Sequence, residues 1–187
     1  MAEKGVDVLE VGCGSGHALI LLAKNFPNSR FVGYDLLDES IAMGKAAAEE
    51  AGLQNVSFEK QDVATMTHEG QFDVVAAFDM VHDQARPDLL LSGIARALKP
   101  GGTYLMSDVK ASTFLENNLD HPLGSFFYGA SCMHCMPVSL AYDGMGLGAV
   151  WGEEKASEMI QEAGMELLDI KQTETDPLNN FYIARRP

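Results

Sequence analysis

The feature that most constrains this chain is a glycine-rich turn, Gly12-Cys13-Gly14-Ser15-Gly16, set between a short β-rich run and a helical one. Val6-Asp7-Val8-Leu9-Glu10-Val11 reads as a buried strand that the glycines end. Residues 17–25 read as a helix, apolar at Ala18, Leu19, Leu21, Leu22 and Ala23 and stopped before Pro27. The alternation then repeats. Residues 31–34, 56–60, 72–78 and 103–107 are predicted strands. An Ala-rich helix opens at Asp38-Glu39-Ser40 and ends at Gly52, and another spans 87–98, closed by Lys99-Pro100-Gly101-Gly102. Strands alternating with helices predict an α/β fold, a mostly parallel sheet with helices on both faces.

The pattern breaks after Asp108. Residues 109–150 carry only four charges, Lys110, Glu116, Asp120 and Asp143, among several aromatics, methionines and glycines. This apolar insertion is too long for an ordinary connection. It follows a strand, so it is expected at the carboxyl edge of the sheet, as a lid that covers the core and walls a substrate pocket. Regular structure resumes with an amphipathic helix over 153–163 and strands over 167–171 and 181–184. The connection between those strands is too short for the crossover that parallel neighbours need, so the last pair is predicted antiparallel.

At 187 residues the chain is read as one domain, 1–187. Its net charge of −14 repels phosphate backbones and anionic lipid surfaces, so neither nucleic acid nor a membrane is an expected partner. Three cysteines cannot build a disulfide framework, no apolar run would span a bilayer, and the start lacks a leader-like run. A cytoplasmic location is expected. Composition leaves the oligomeric state open.

The chemistry is concentrated at the ends of the first three strands. Glycines in the first turn let the backbone bend sharply and let a ligand approach without meeting a Cβ. Asp35 ends the second strand, 19 positions after Gly16, where an acid can accept from both hydroxyls of a ribose. An adenosine-containing cofactor fits this pair. A dinucleotide site would place its third glycine at position 17, which is His17. The spacing here puts glycines at 12, 14 and 16, with Glu10 two residues upstream. A carboxylate there suits a ligand that presents an ammonium group and no pyrophosphate, as S-adenosylmethionine does.

With Gln61-Asp62-Val63 after the third strand, Phe72-Asp73-Val74-Val75 as the fourth and Leu98-Lys99-Pro100-Gly101-Gly102 before the fifth, the sequence resembles the class I S-adenosylmethionine-dependent methyltransferases. The resemblance covers nearly the whole chain. It implies a Rossmann-like, seven-stranded, mostly parallel sheet with an antiparallel last strand pair, and methyl transfer from S-adenosyl-L-methionine to a small-molecule acceptor. It also implies roles. Gly12, Cys13, Gly14 and Gly16 would pass under the methionine part of the cofactor, with Glu10 beside its ammonium. Asp35 would hold the ribose and Leu36 would pack on the adenine. Gln61 would flank the site, while Asp62 and the backbone of Val63 would meet the adenine edge. Phe78 and Asp79 would line the methyl-donor end. His82 and His134 are the candidate general bases for a hydroxyl acceptor.

The insertion resembles that of methyltransferases of unassigned substrate that carry a winged-helix segment ahead of the catalytic domain. Met1 lies a few residues before the first strand, so that segment and the helices that cover the cofactor are expected to be absent. Cys132-Met133-His134-Cys135 is half of a zinc or redox motif with no second cysteine pair, and no metal is expected there. The alternatives are a protein or nucleic acid methyltransferase and a truncated, non-catalytic cofactor-binding module. The first is weakened by the charge and by Phe78-Asp79-Met80-Val81 standing where an Asn/Asp-Pro-Pro-Tyr/Phe tetrapeptide would mark it. A nicotinamide oxidoreductase ranks last.

Overall fold

The computed structural model describes residues 4–187. Residues 1–3, part of the expected leaderless start, lie outside the described residues. One sheet holds β1 (Asp7–Val11), β2 (Arg30–Asp35), β3 (Val56–Lys60), β4 (Phe72–Phe78), β5 (Leu98–Val109), β6 (Glu166–Lys171) and β7 (Asn179–Arg185). Their order is β3-β2-β1-β4-β5-β7-β6. The first five run parallel, and β7 is antiparallel to both β5 and β6. The chain therefore has the Rossmann-like sheet that the sequence implied. The helices are α1 (His17–Asn25), α2 (Asp38–Glu50), α3 (Pro87–Ala97), α4 (Gly124–Ala130), α5 (Met136–Leu140) and α6 (Gly152–Glu162).

Successive strand residues point to opposite faces, so the apolar run of β1 feeds two cores. Val8 packs on one side with Leu19, Ala23, Ile41, Ala48 and Phe58, from α1, α2 and β3. Leu9 and Val11 pack on the other with Leu90, Leu91 and Ile94 of α3 and Met159 and Ile160 of α6. Each fully buried aliphatic side chain of this kind stabilises the fold by about 1.5–3 kcal/mol.

Strand β5 differs from its predicted span. It starts at Leu98, not 103, because Leu98 pairs with Phe72 and a register shift follows. Gly101 N–H donates to the Arg186 carbonyl, and Arg186 N–H donates back to that of Gly102. The Lys-Pro-Gly-Gly stretch ends α3, as predicted, but turns at Gly101, with φ 76°, and is held against Arg186 by these two bonds.

The 109–150 insertion contains a single-turn 3-10 helix (Leu115–Asn118), then α4, a π turn (Ser131–Cys135) and α5. It buries one face, built on Val109, Cys135 and Ala149, with Ala111 and Phe127 against them. Phe126, Met133 and Tyr142 stay exposed, so only part of its apolar surface covers the core. Two contacts tie it to the turn after β4: Ser139 Oγ donates to the Gln84 carbonyl at 2.9 Å, and Met145 N–H donates to that of Ala85 at 2.9 Å.

Candidate active site

The strand order reverses between β1 and β4, and the carboxyl ends of strands at such a point form the binding crevice of open α/β sheets. A cavity of about 330 Å³ lies there. Its walls come from Gly12 after β1, Asp35 and Leu36 at the end of β2, Gln61 and Val63 after β3, and Met80, Asp83 and Gln84 after β4. Segments after four adjacent strands thus converge on one space. A larger cavity of about 410 Å³ lies at the amino edge, lined by Asp7, Arg30, Asp73 and Lys99. Both of its acids are already paired, Asp7 with Lys99 and Arg30 and Asp73 with Lys99.

The three motif glycines all have positive φ, at 67°, 52° and 77°, but they face different neighbours. A Cβ at Gly12 would meet Met80, and one at Gly16 would lie 2.2 Å from the Phe58 ring. One at Gly14 would meet nothing within 4 Å. The open, ligand-accessible face of the turn is therefore at Gly14. Gly16 closes on the core instead, and Cys13 turns its side chain into the same core. Burial, then the charges of Glu10 and Asp35, push the Cys13 thiol up to about 12, so it stays protonated.

Glu10 is 5% exposed, and its Oε2 has no hydrogen-bond partner. Burial alone pushes its carboxyl up to about 8. A buried acid without a donor is costly. Asp35 caps the turn from the neighbouring strand, accepting from Gly14 N–H at 2.9 Å and Leu37 N–H at 3.0 Å. Each of its oxygens thus takes one backbone bond, and a carboxylate has about four lone-pair positions, which leaves room for a pair of hydroxyls. Asp62 accepts from Ala64 N–H and caps the short turn Val63–Thr65. Gln61 N–H donates to the Asp35 carbonyl, which ties the ends of β2 and β3 together. Leu36 is half exposed at the cavity rim.

After β4, Phe78 is partly buried, and Asp79 adopts a left-handed φ of 53° while its N–H bonds to the Ser107 carbonyl. A non-glycine residue held there costs of order 1–3 kcal/mol, and such strain gathers at functional sites. Asp79 is exposed, yet partial desolvation of its carboxyl and then the Asp108 charge push that carboxyl up. His82 is buried, with Nδ1 2.8 Å from Asp108 Oδ1 and Nε2 3.4 Å from Asp83 Oδ1. Burial pushes this imidazole down, but the hydrogen bond and charge of Asp108, with Asp83 and Asp79, outweigh it and carry it up to about 8. His134 is exposed on the lid's π turn, whereas its neighbour Cys135 is buried. The sequence reading did not single out Asp83 or Asp108, and it weighed Cys135 only as part of Cys132-Met133-His134-Cys135. Asp108 ends its strand much as Asp35 does, and that was the available signal. Its partnership with His82 depends on β4 and β5 being neighbours.

A family model described as a methyltransferase domain matches residues 2–164. The chain belongs to that family, and its fold is that of the class I S-adenosylmethionine-dependent methyltransferases. It is 35% identical over 107 residues to a fatty-acid O-methyltransferase of Mycolicibacterium smegmatis, covering 57% of this chain and 38% of that protein. It is 31% identical over 107 residues to a ubiquinone biosynthesis O-methyltransferase of Coxiella burnetii, covering 57% and 44%. The chain thus spans less than half the length of these curated relatives. Among solved structures, it superposes on the [4+2]-cyclase SpnF with a TM-score of 0.76 at 19% identity, covering 98% of this chain and 75% of that one. A SAM-dependent methyltransferase from Aquifex aeolicus matches with a TM-score of 0.72 at 17% identity, covering 100% and 85%. Among the described residues, no helix is long and apolar enough to cross a membrane.

Proposed function

We propose that this domain binds S-adenosyl-L-methionine in the carboxyl-edge cavity and directs its methyl group to an oxygen of a small-molecule acceptor. The observation that carries the reading is Glu10, a buried carboxylate whose Oε2 lacks a donor, beside a glycine turn open at Gly14. An ammonium group satisfies the first and an amino-acid backbone fits over the second. The cofactor, when bound, supplies a methyl group already activated by a sulfonium.

The residues then divide the work. Glu10 pairs with the ammonium. Gly12, Gly14 and Gly16 shape the turn, and Cys13 contributes its backbone. Asp35 accepts from the ribose hydroxyls, and Leu36 and Val63 flank the adenine with Gln61 and Asp62 at its edge. Phe78 and Asp79 border the methyl-donor end. Alignment and exclusion of water are most of what in-line methyl transfer asks of a protein. His82, held at Nδ1 by Asp108, is the proton acceptor for a hydroxyl substrate. It reaches the cavity through Asp83, which lines it. His134 is the second candidate, from the lid side. The oxygen acceptor is supported by the names of the relatives, which include a malonyl-[acyl-carrier protein] O-methyltransferase of Ilyobacter polytropus, 34% identical over 119 residues. The net charge of −14 argues against nucleic acid and against anionic lipid surfaces.

The test is a methylation screen. Purified protein, S-adenosylmethionine and pools of small hydroxy and carboxylic acids are incubated together, and products carrying one added methyl are read by mass spectrometry. An O-methylated product is expected. Methylation confined to a protein or RNA in the pool, or cofactor retention with no transfer to any acceptor, would overturn the reading in favour of a macromolecular methyltransferase or a binding module.

A further inference from the structure

The lid places one cysteine where the sequence motif does not put it to use. Cys132 and Cys135 look like a pair in sequence, but Cys132 is exposed and Cys135 is buried. Cys135 instead faces the turn after β4. The donor atoms of His82, Asp83 and Cys135 all lie within 4.8 Å of one another. His82 and Cys135 are buried, and Asp83 Oδ1 is a buried atom that no donor meets in good hydrogen-bond geometry, with the Cys135 thiol and His82 Nε2 beside the carboxylate.

We infer that His82 Nε2, Asp83 and Cys135 Sγ form a binding site for a zinc-class divalent cation that clips the lid to the catalytic edge of the sheet. Three features of the geometry support this. First, Nε2 and Asp83 Oδ1 are 3.4 Å apart, long for a charge-assisted hydrogen bond. Two ligand atoms, each about 2.0–2.2 Å from a tetrahedral ion, stand about 3.3–3.5 Å apart. Second, Nδ1 of the same ring is bonded to Asp108 at 2.8 Å. That bond fixes the ring and leaves Nε2 as the coordinating nitrogen, the carboxylate–histidine–metal arrangement of known sites. Third, the donor set is one nitrogen, one oxygen and one sulfur. Thiolate and imidazole select zinc-like ions over magnesium or calcium. A second cluster, Asp79, His82 and Asp108, is disfavoured because its His82–Asp108 contact at 2.8 Å is a hydrogen bond, too short for two ligands of one ion.

Binding displaces the Cys135 thiol proton to solvent and requires Nε2 without a proton. Three protein ligands leave a fourth position for water or for a donor group in the cavity that Asp83 lines. In the loaded protein Nε2 holds the ion in place of a proton, so the two roles of His82 are alternatives. The site itself does not rest on methyl transfer, and its test does not measure it.

The experiment is metal analysis of the full chain, followed by Co²⁺ titration of chelator-treated protein. About one equivalent of ion is expected, with the near-ultraviolet charge-transfer band of a thiolate–cobalt bond. Cys135→Ser should abolish the band and weaken Co²⁺ binding at least tenfold, while Cys132→Ser keeps both. His82→Gln should weaken binding and retain the band at saturating Co²⁺, a second readout should Cys135→Ser misfold. Absence of the band in the unsubstituted protein, its persistence in Cys135→Ser, or its loss in Cys132→Ser would overturn the site.

Discussion

Glu10→Gln should weaken S-adenosylmethionine binding by about ten- to hundredfold and, at the same time, stabilise the ligand-free domain at alkaline pH. The two effects have one origin. Glu10 is buried and its carboxyl sits at about 8 rather than the ordinary 4.5, with burial as the cause. The native state therefore holds this proton more tightly than the unfolded chain does. Its stabilising contribution is fully present below about pH 4.5 and is lost as pH rises through about 8. At about 1.4 kcal/mol per unit of displacement, the loss amounts to several kcal/mol. Glutamine carries no charge, so the variant escapes that loss. It also loses the charged partner for an ammonium, a hydrogen bond worth about 1.5–3 kcal/mol. Melting temperatures at about pH 6 and about pH 9, with calorimetric titration of the cofactor at both, check the pair. Cofactor affinity of the unsubstituted protein should rise with pH toward about 8 as Glu10 ionises and fall above it as the ligand's α-ammonium, ordinarily near about 8, loses its proton, while the variant should lack the rise. A variant that gains no alkaline stability would show that Glu10 already has a partner.

Within the glycine turn, the largest stability effect is expected from Gly16→Ala, with Gly14→Ala as its contrast. Gly16 has φ 77°, and an added Cβ would stand 2.2 Å from the Phe58 ring. Phe58 is 2% exposed and is nested against Gly33 and Gly44 as well, where an added Cβ would lie 2.8 and 3.0 Å from it. The ring has nowhere to go. Left-handed strain of about 1–3 kcal/mol and overpacking of about 1–3 kcal/mol add, so denaturant unfolding should report a loss of about 2–6 kcal/mol. Gly14→Ala bears the strain alone, because nothing lies within 4 Å of its new atom, and its main effect should be on cofactor affinity. Equal destabilisation by the two changes would contradict this division of the turn.

That division also shows how far the sequence could be read. β3 and β4 fall on their predicted residues because each is a compact β-rich run bounded by turn residues. The antiparallel end of the sheet followed from a connection too short to cross over. The glycine spacing was legible as a strand-to-helix turn, and Gly12, Gly14 and Gly16 all have positive φ. Which glycine faces open space and which faces Phe58 was not legible, since Phe58 arrives from a strand two places along the sheet. The start of β5 was missed for the same reason, as its partners Phe72 and Arg186 are distant in sequence. His82 was visible as a candidate, but its setting between Asp108 and Asp83 depends on the pairing of β4 with β5 and on the turn Val81–Asp83. The lid's short helices and π turn carry no sustained period, so only its apolar character could be read.

The central claim is that the carboxyl-edge cavity is built for S-adenosylmethionine and not for a dinucleotide. Calorimetric titration of the unsubstituted protein with S-adenosylmethionine, and separately with NAD, tests it most directly. The account predicts one-to-one binding of S-adenosylmethionine and no heat of binding for NAD, because position 17 holds histidine where a dinucleotide turn needs its third glycine. Saturable NAD binding, with none for S-adenosylmethionine, would contradict it.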